Sequence, residues 1–266
     1  MKKAAVLIPF YKKEISDYEN ISLQQCRKIL SSHDIIAIKP DDFIIPELAK
    51  STNPFKTVSF DPSFFKSIAG YNKLMLSADF YKAFLDYEYV LIYQMDCFVF
   101  KDELNYWCDQ NWDYIGAPWI KKTYHKNSLE LQIAKIKHYF SANLNRLDNN
   151  KPNQYQLDNK VGNGGFSLRR VQKFYDLCLL MQPVIDHYLS ANGNLHNEDV
   201  FWSIEVNREK RILNIPNCST ALNFAFEVPP FKSNLLTADN LPFGCHDWDR
   251  YADYWEPTFK KLGYHI

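Results

Sequence analysis

No apolar run in the 266-residue chain approaches the roughly 20 residues a helix needs to cross a bilayer. The sequence therefore predicts a soluble, cytoplasmic protein, compatible with peripheral association at the inner face of a membrane. A surplus of charge is missing too: 31 Lys and Arg balance 31 Asp and Glu. Duplex-binding proteins carry a basic footprint, so nucleic acid is not expected as a partner. Metal-type cysteine pairs are absent, and the six scattered cysteines read as reduced thiols. Glycine is scarce, with eight residues, and none precedes Gly70. The first predicted strand thus lacks a dinucleotide fingerprint, and no glycine-rich loop ends in Lys-Ser or Lys-Thr. That argues against a Rossmann dehydrogenase and a P-loop kinase. The opening "MKKAAVLIPFYKKE" has no small-residue cleavage site, and its short apolar run stops at Lys12 and Lys13. It reads as a first strand, not as a secretory leader.

Aromatic surface is what the chain has in quantity: 17 Tyr and 6 Trp within a 16% aromatic content. Most such rings fill a core, but the excess suggests that some line a site, where a flat face with a polar edge suits a sugar or a nucleobase. After "AAVLIPF", Ser16 with Glu19 three residues on forms a capping box before a helical pattern. "DIIAIKP" and "KTVSF" read as strands, Asp61-Pro62 as a helix start, and residues 71–87 as a helix leading into the strand "YVLIYQM". "FVF" and a helical "KDELNYWCDQ" follow. Strands alternating with helices predict an α/β fold with a mostly parallel, Rossmann-like sheet flanked by helices. Length fits one such domain over 1–266 or two smaller ones, and we favour one. Residues 121–160 turn polar and read as an insertion, with Leu129, Ile133, Ile136 and Phe140 on one helical face. It reads either as a lid or acceptor-recognition element or as a solvated excursion.

Asp96 interrupts the buried strand pattern near the end of "YVLIYQMD". A carboxylate there serves as a buried hydrogen-bond acceptor, as a cap for the segment beyond, or as a ligand for a hard cation bound to phosphate oxygens. In open α/β sheets, ligands bind beyond the carboxyl ends of the strands, where Asp96 lies. "VGNGGFSLRRV" places glycines before a strand, which fits a tight turn as well as close approach to a ligand. Glu198 and Asp199 open a helix, where the dipole favours acids; alternatively one of them accepts a proton from an attacking hydroxyl. His246 in "GCHDW" is a core or surface histidine, or a neutral ligand completing the shell of a Mn²⁺-type ion.

Taken in order, these motifs resemble the GT-A fold glycosyltransferases, which use nucleotide-sugar donors. "YQMDCFVF", "WDYIGAPW", "VGNGGFSLR", "NEDVFW" and "GCHDW" look most like a bacterial GT-A-like family of unassigned function linked to surface-polysaccharide synthesis. The resemblance covers most of residues 1–250. It implies that Asp96 and His246 bind a divalent cation, Mn²⁺ or Mg²⁺, and that Asp199 is the catalytic base with Glu198 in support. It further implies that Pro9, Phe10 and Tyr11 contact the nucleoside and that Gly164 and Gly165 approach the donor sugar or acceptor. The implied partners are a nucleotide-sugar donor, UDP-sugars favoured, and a glycan or lipid-linked glycan acceptor.

One departure bears on the metal. Gln94 stands where the D-x-D motif of those enzymes has its first Asp, leaving one negative charge fewer. Lys73 or Arg169 would then share in neutralising the donor diphosphate. The implied reaction is displacement at an anomeric carbon through an oxocarbenium-like transition state, inverting if Asp199 acts from the face opposite the leaving group. The alternative is a GT-A-like carbohydrate- or nucleotide-binding protein without catalysis. A nucleotidyltransferase ranks last, because "IPFYKKE" has no glycine.

Overall fold

The computed structural model describes residues 1–46, 55–120, 128–143, 147–148, 151–152, 154–191 and 196–266. Strands β1 (Lys2–Pro9), β2 (Asp34–Pro40), β3 (Lys56–Phe60) and β4 (Tyr87–Tyr93) are connected through α1 (Asp17–Ile29), α2 (Ile68–Met75) and α3 (Ala78–Lys82). Next come β5 (Phe98–Val99), α4 (Leu104–Asp109), β6 (Tyr114–Gly116), α5 (Ser128–Asn143), the short β7 (Leu147–Asp148) and β8 (Lys151–Pro152), and β9 (Phe166–Arg170). The remainder is α6 (Val171–Leu180), α7 (Gln182–Ser190), α8 (Glu198–Ser203), α9 (Cys218–Phe224), β10 (Ala225–Phe226), α10 (Pro230–Leu236), β11 (Gly244–Cys245) and α11 (Ala252–Lys261).

The main sheet has the order β3-β2-β1-β4-β9-β6. Its first four strands are parallel, whereas β9 runs antiparallel to both β4 and β6. The route of the chain explains the reversal. β6 ends at Gly116 beside Ser167, and the insertion leaves and returns at that same end, so β9 has to enter the sheet in the opposite direction. The uninterrupted apolar run of β1 follows from burial of both sheet faces. Val6 and Ile8 pack with Leu23 and Cys26 of α1, while Ala5 and Leu7 pack against α2 and α3 through Leu74 and Phe80.

Local signals operate as read. Ser16 Oγ accepts from the Glu19 N–H at 3.2 Å, and Glu19 Oε2 accepts from the Ser16 N–H at 2.9 Å. Asp61 accepts from the Ser63 N–H at 2.8 Å and starts a single 3₁₀ turn, Pro62–Phe65. The helix expected over 71–87 is instead two helices. Ser77 divides them: its hydroxyl accepts from the Phe80 N–H at 3.2 Å and donates to the Leu74 carbonyl at 2.8 Å. Tyr87 already belongs to β4.

A second, three-stranded sheet, β10-β11-β5, lies beyond the end of β4. It is covered by Trp248, Trp255 and Phe259, so much of the aromatic excess is core. All six cysteines are free. Among the described residues, no helix is long and apolar enough to cross a membrane. The insertion does contain a helix, α5, but Leu129, Ile133, Ile136 and Phe140 on it are 40–68% exposed. That face does not pack on the core.

Candidate functional site

The small sheet assembles one wall of a cleft. Phe226 of β10 pairs with Cys245 of β11, and Cys245 pairs with Phe98 of β5. The residues next beyond that row are Glu227, His246 and Cys97, so three distant segments reach one rim. The main sheet supplies the floor. Tyr93 pairs with Phe166, and the Gln94 N–H donates to the Gly165 carbonyl at 2.9 Å, which sets Gln94 and Asp96 against the Gly164-Gly165 turn. Asn163 precedes that turn in the left-handed region at φ 57°, a conformation that asparagine tolerates better than most residues.

The cleft measures about 760 Å³ and is lined by Tyr71, Asn72, Asp96, Gly164, Asp199 and His246, among others. Beside it opens a recess of about 250 Å³ between Pro9, Lys12, Tyr18 and Trp248. Tyr11, Gln94 and Asp96 line both spaces, so the two adjoin. Tyr18 and Trp248 present rings 5.1 Å apart at the recess wall.

His246 sits between two carboxylates. Nε2 lies 3.4 Å from Asp96 Oδ1 and Nδ1 lies 3.5 Å from Glu227 Oε2. Asn163 Nδ2 approaches Nδ1 at 2.9 Å, and Gln94 Oε1 stands 3.3 Å from Nε2. Burial works against charge on the ring, but Asp96 and Glu227 raise its pKa to about 10. Burial also raises the Asp96 carboxyl; His246 opposes that rise and Asp247 reinforces it. Both Asp96 Oδ1 and Glu227 Oε2 are buried without a hydrogen bond. Each oxygen has only the His246 ring beside it, on opposite nitrogens. Asp96 and His246 come close enough to share a divalent cation of the Mn²⁺ or Mg²⁺ class, and Glu227 and Asp247 form a second such group with the same ring. Cys97, though close, is no ligand: burial holds its thiol well above its usual pKa, and its Sγ lies 3.2 Å from the Gly165 carbonyl as donor.

Across the cleft, α8 presents Glu198 and Asp199. Asn72 sets the start of this helix, accepting from the Glu198 N–H at 3.2 Å while donating to Asn197 Oδ1 at 3.2 Å. Glu198 turns inward and pairs with the fully buried Arg169, Nη2 to Oε1, at 2.9 Å. Asp199 stays at the cleft surface. Burial and the neighbouring Glu198 push its carboxyl up to about 7, against the Val200 and Gly164 N–H groups, which favour the ionised form.

Tyr11, Gln94, Asp96, Gly164, Gly165, Glu198, Asp199 and His246 line the cleft, and Pro9 lines the recess. Three expected residues lie elsewhere. Phe10 points into the core, its ring 5.2 Å from that of Phe55. Lys73 is exposed on α2 beside a separate depression near Phe64 and His196. Arg169 is committed to Glu198 beneath the floor, so it does not reach a diphosphate. Among the described residues, Lys12 is the cation at the recess, and Lys66 and Arg250 are those at the cleft. Sequence reading missed Glu227, because a lone acid in "AFEVPP" carries no motif. Asn163 had a signal, as an asparagine among glycines is a good left-handed residue.

The absence of side chains on the floor is a steric requirement. A Cβ on Gly164 would stand 2.0 Å from Glu198 Oε1, and one on Gly165 would stand 2.1 Å from His246 Nε2 and 2.8 Å from Gln94 Oε1. Gly165→Ala is therefore expected to displace the imidazole and weaken Mn²⁺ binding at least about tenfold, measured by calorimetric titration. Unchanged affinity would show that the ring is not a ligand.

Solved structures share the fold of the chain. Galactosyltransferase LgtC, in complex with donor and acceptor sugar analogs, superposes with a TM-score of 0.55 at 13% identity, over 91% of this chain and 86% of that one. An active-site mutant of LgtC gives 0.53 at 14% identity over the same shares. Mouse xyloside xylosyltransferase 1, in its apo form, gives 0.49 at 12% identity over 92% and 97%. At these identities the LgtC matches show the fold, which is that of the GT-A glycosyltransferases. No curated protein matches the chain. The family model described as "Protein of unknown function (DUF5672)" matches residues 54–246, well over half of the chain, and the chain belongs to that family.

Proposed function

We propose that the chain is a glycosyltransferase that moves a sugar from a nucleotide-diphosphate donor, a UDP-sugar by preference, to a hydroxyl of a glycan or lipid-linked glycan, in the setting of bacterial surface-polysaccharide synthesis. One observation carries this reading. Asp96, Gln94, the glycine pair, Asp199 and His246, from four separated stretches, meet in one cleft beyond the carboxyl end of β4. A recess with aromatic walls adjoins it. LgtC, which shares the fold, was solved with donor and acceptor sugar analogs.

In this reading Tyr11 and Tyr18 hold the nucleobase, and the side chains of Asp96 and His246 would hold a divalent cation. When bound, that cation acts as a Lewis acid toward the leaving group. Lys12 and Arg250 add positive charge on either side. Asp199 accepts the proton of the acceptor hydroxyl, and attack from its face inverts the anomeric centre. Glu198, fixed by Arg169, keeps Asp199 raised and orients the start of α8. Gln94 favours a second reading, because its neutral amide beside His246 leaves the site one charge short: a binding protein without turnover.

Thermal shift with UDP, GDP and CMP, with and without Mn²⁺, tests donor binding; a ligand at 100 times its dissociation constant adds about 2.7 kcal/mol. No shift with any of them would overturn the reading, and shift without transfer or donor hydrolysis would leave the binding protein. Asp199→Asn tests the base. Turnover of the parent is expected to rise with pH through about 7 and to be lost in the variant. Stability separates this from unfolding. An acid whose pKa is raised in the folded state contributes stability that is fully present below about 4 and lost as pH rises through about 7. The variant should therefore melt above the parent at pH 8, with that advantage vanishing near pH 4.

A further inference from the structure

We propose that the exposed face of α5 docks on an anionic lipid surface, lying in the interface beside the mouth of the cleft. Leu129, Ile133, Ile136 and Phe140 are spaced so that they fall within roughly 60° of one another around the helix. All four are exposed, as is Tyr139 at the same end. The side that meets the protein is different. Ala134, buried at 8% exposure, points roughly 130° away from the stripe, and α5 packs on the turn Gln154–Leu157. The apolar stripe thus faces outward from the body that holds the helix.

Charge selects the occupant. Residues 121–151 contain seven Lys or Arg against two Asp or Glu, a local +5 in a chain whose total is zero. Lys135 and Lys137 lie on α5 itself, both exposed. A second copy of this chain would carry the same net positive charge on this segment and be repelled. An anionic lipid surface matches both features, since amphipathic helices with basic flanks lie in the headgroup boundary. Sixteen residues are too few to span a bilayer, which leaves the interfacial position.

The insertion is rooted at the cleft. Its two legs are tied where the Trp119 N–H donates to the Lys160 carbonyl at 2.9 Å and the Asn159 N–H donates to the Trp119 carbonyl at 2.8 Å. A few residues on, Asn163 and Gly164 line the cleft itself. Docking through α5 brings that mouth to the surface from which a lipid-linked acceptor would enter. That purpose rests on the glycosyltransferase reading above, whereas the docking does not.

The test is flotation of the full chain with vesicles of phosphatidylcholine alone and with added phosphatidylglycerol. The chain is expected to float with the anionic vesicles only. Ile133→Asp with Ile136→Asp should lower the bound fraction at least about tenfold. Lys137→Gln, on the flank of the stripe, should lower it about fivefold without touching the stripe. Melting temperature and the nucleotide-induced shift should stay at the parent values in all of them, which excludes misfolding. No flotation, equal flotation with both vesicle types, or a lipid-free dimer that the Asp variants dissolve in light scattering would each overturn the proposal. Flotation without any nucleotide shift would support the docking while overturning the transferase reading.

Discussion

Arg169→Met is expected to destabilise the protein by roughly 3–5 kcal/mol, a large share of the 5–15 kcal/mol that holds a typical domain together. The guanidinium is fully buried and every arm is engaged. Nη2 reaches Glu198 Oε1 at 2.9 Å, Nε donates to Ser167 Oγ at 3.1 Å, and Nη1 donates to the Tyr81 hydroxyl at 3.0 Å. Its removal leaves the Glu198 carboxylate 3% exposed, unpaired and next to Asp199. That isolated charge, more than lost packing, sets the cost. The double variant Arg169→Met with Glu198→Gln should therefore recover more than half of the loss in urea denaturation. Equal losses in the single and double variants would assign the cost to packing instead.

Asp96→Asn has the second largest expected effect, on chemistry and not on stability. In the proposed reading the carboxylate is the negative metal ligand just past the end of β4; its Oδ1 is buried with no hydrogen bond and only His246 Nε2, at 3.4 Å, beside it. Replacing it by a neutral amide should lower both Mn²⁺ affinity and transfer from a nucleotide sugar at least about 100-fold. The melting temperature should hardly move, because burial disfavours the ionised acid while His246 at 3.4 Å favours it. Retained turnover and Mn²⁺ binding would place the site elsewhere. Glu227 offers a finer comparison. Facing the other ring nitrogen, it holds the imidazole in place, so Glu227→Gln should affect Mn²⁺ affinity less than Asp96→Asn.

Signals written into neighbouring residues were legible from sequence. The bounds of β2 and β3 coincide with "DIIAIKP" and "KTVSF", and the Ser16–Glu19 box opens α1. The break at Ser77 was also written there, since a serine followed by Asp79 is an N-cap signature, but the apolar period continued across it. What depends on distant partners was hidden. The direction of β9 follows from where the insertion returns, not from "FSLRR" itself. Arg169 looked like a free cation because period-2 alternation places it on the same face as Ser167 without revealing that Tyr81 and Glu198 cover that face. Phe10 likewise sits one position from Tyr11 just past the end of β1, yet one enters the core and the other lines the recess. Of the candidate site, the motif residues Asp96, Gly164, Gly165, Asp199 and His246 were readable. Glu227 was not, because it is recruited only by pairing of β10 with β11.

The recess wall joins the two ends of the chain at Ser22. This buried serine accepts from the Trp248 indole N–H at 2.9 Å through its hydroxyl and lies 3.0 Å from the Tyr93 hydroxyl through its carbonyl. Ser22 and Trp248 are 226 positions apart. At a synthesis rate of about 5–20 residues per second, roughly 10–45 s separate their appearance on a ribosome. From the emergence of Tyr93 until the end of that interval, α1 and β4 are present while the strand that delivers His246 is not, so the recess and the cleft stand open on one side.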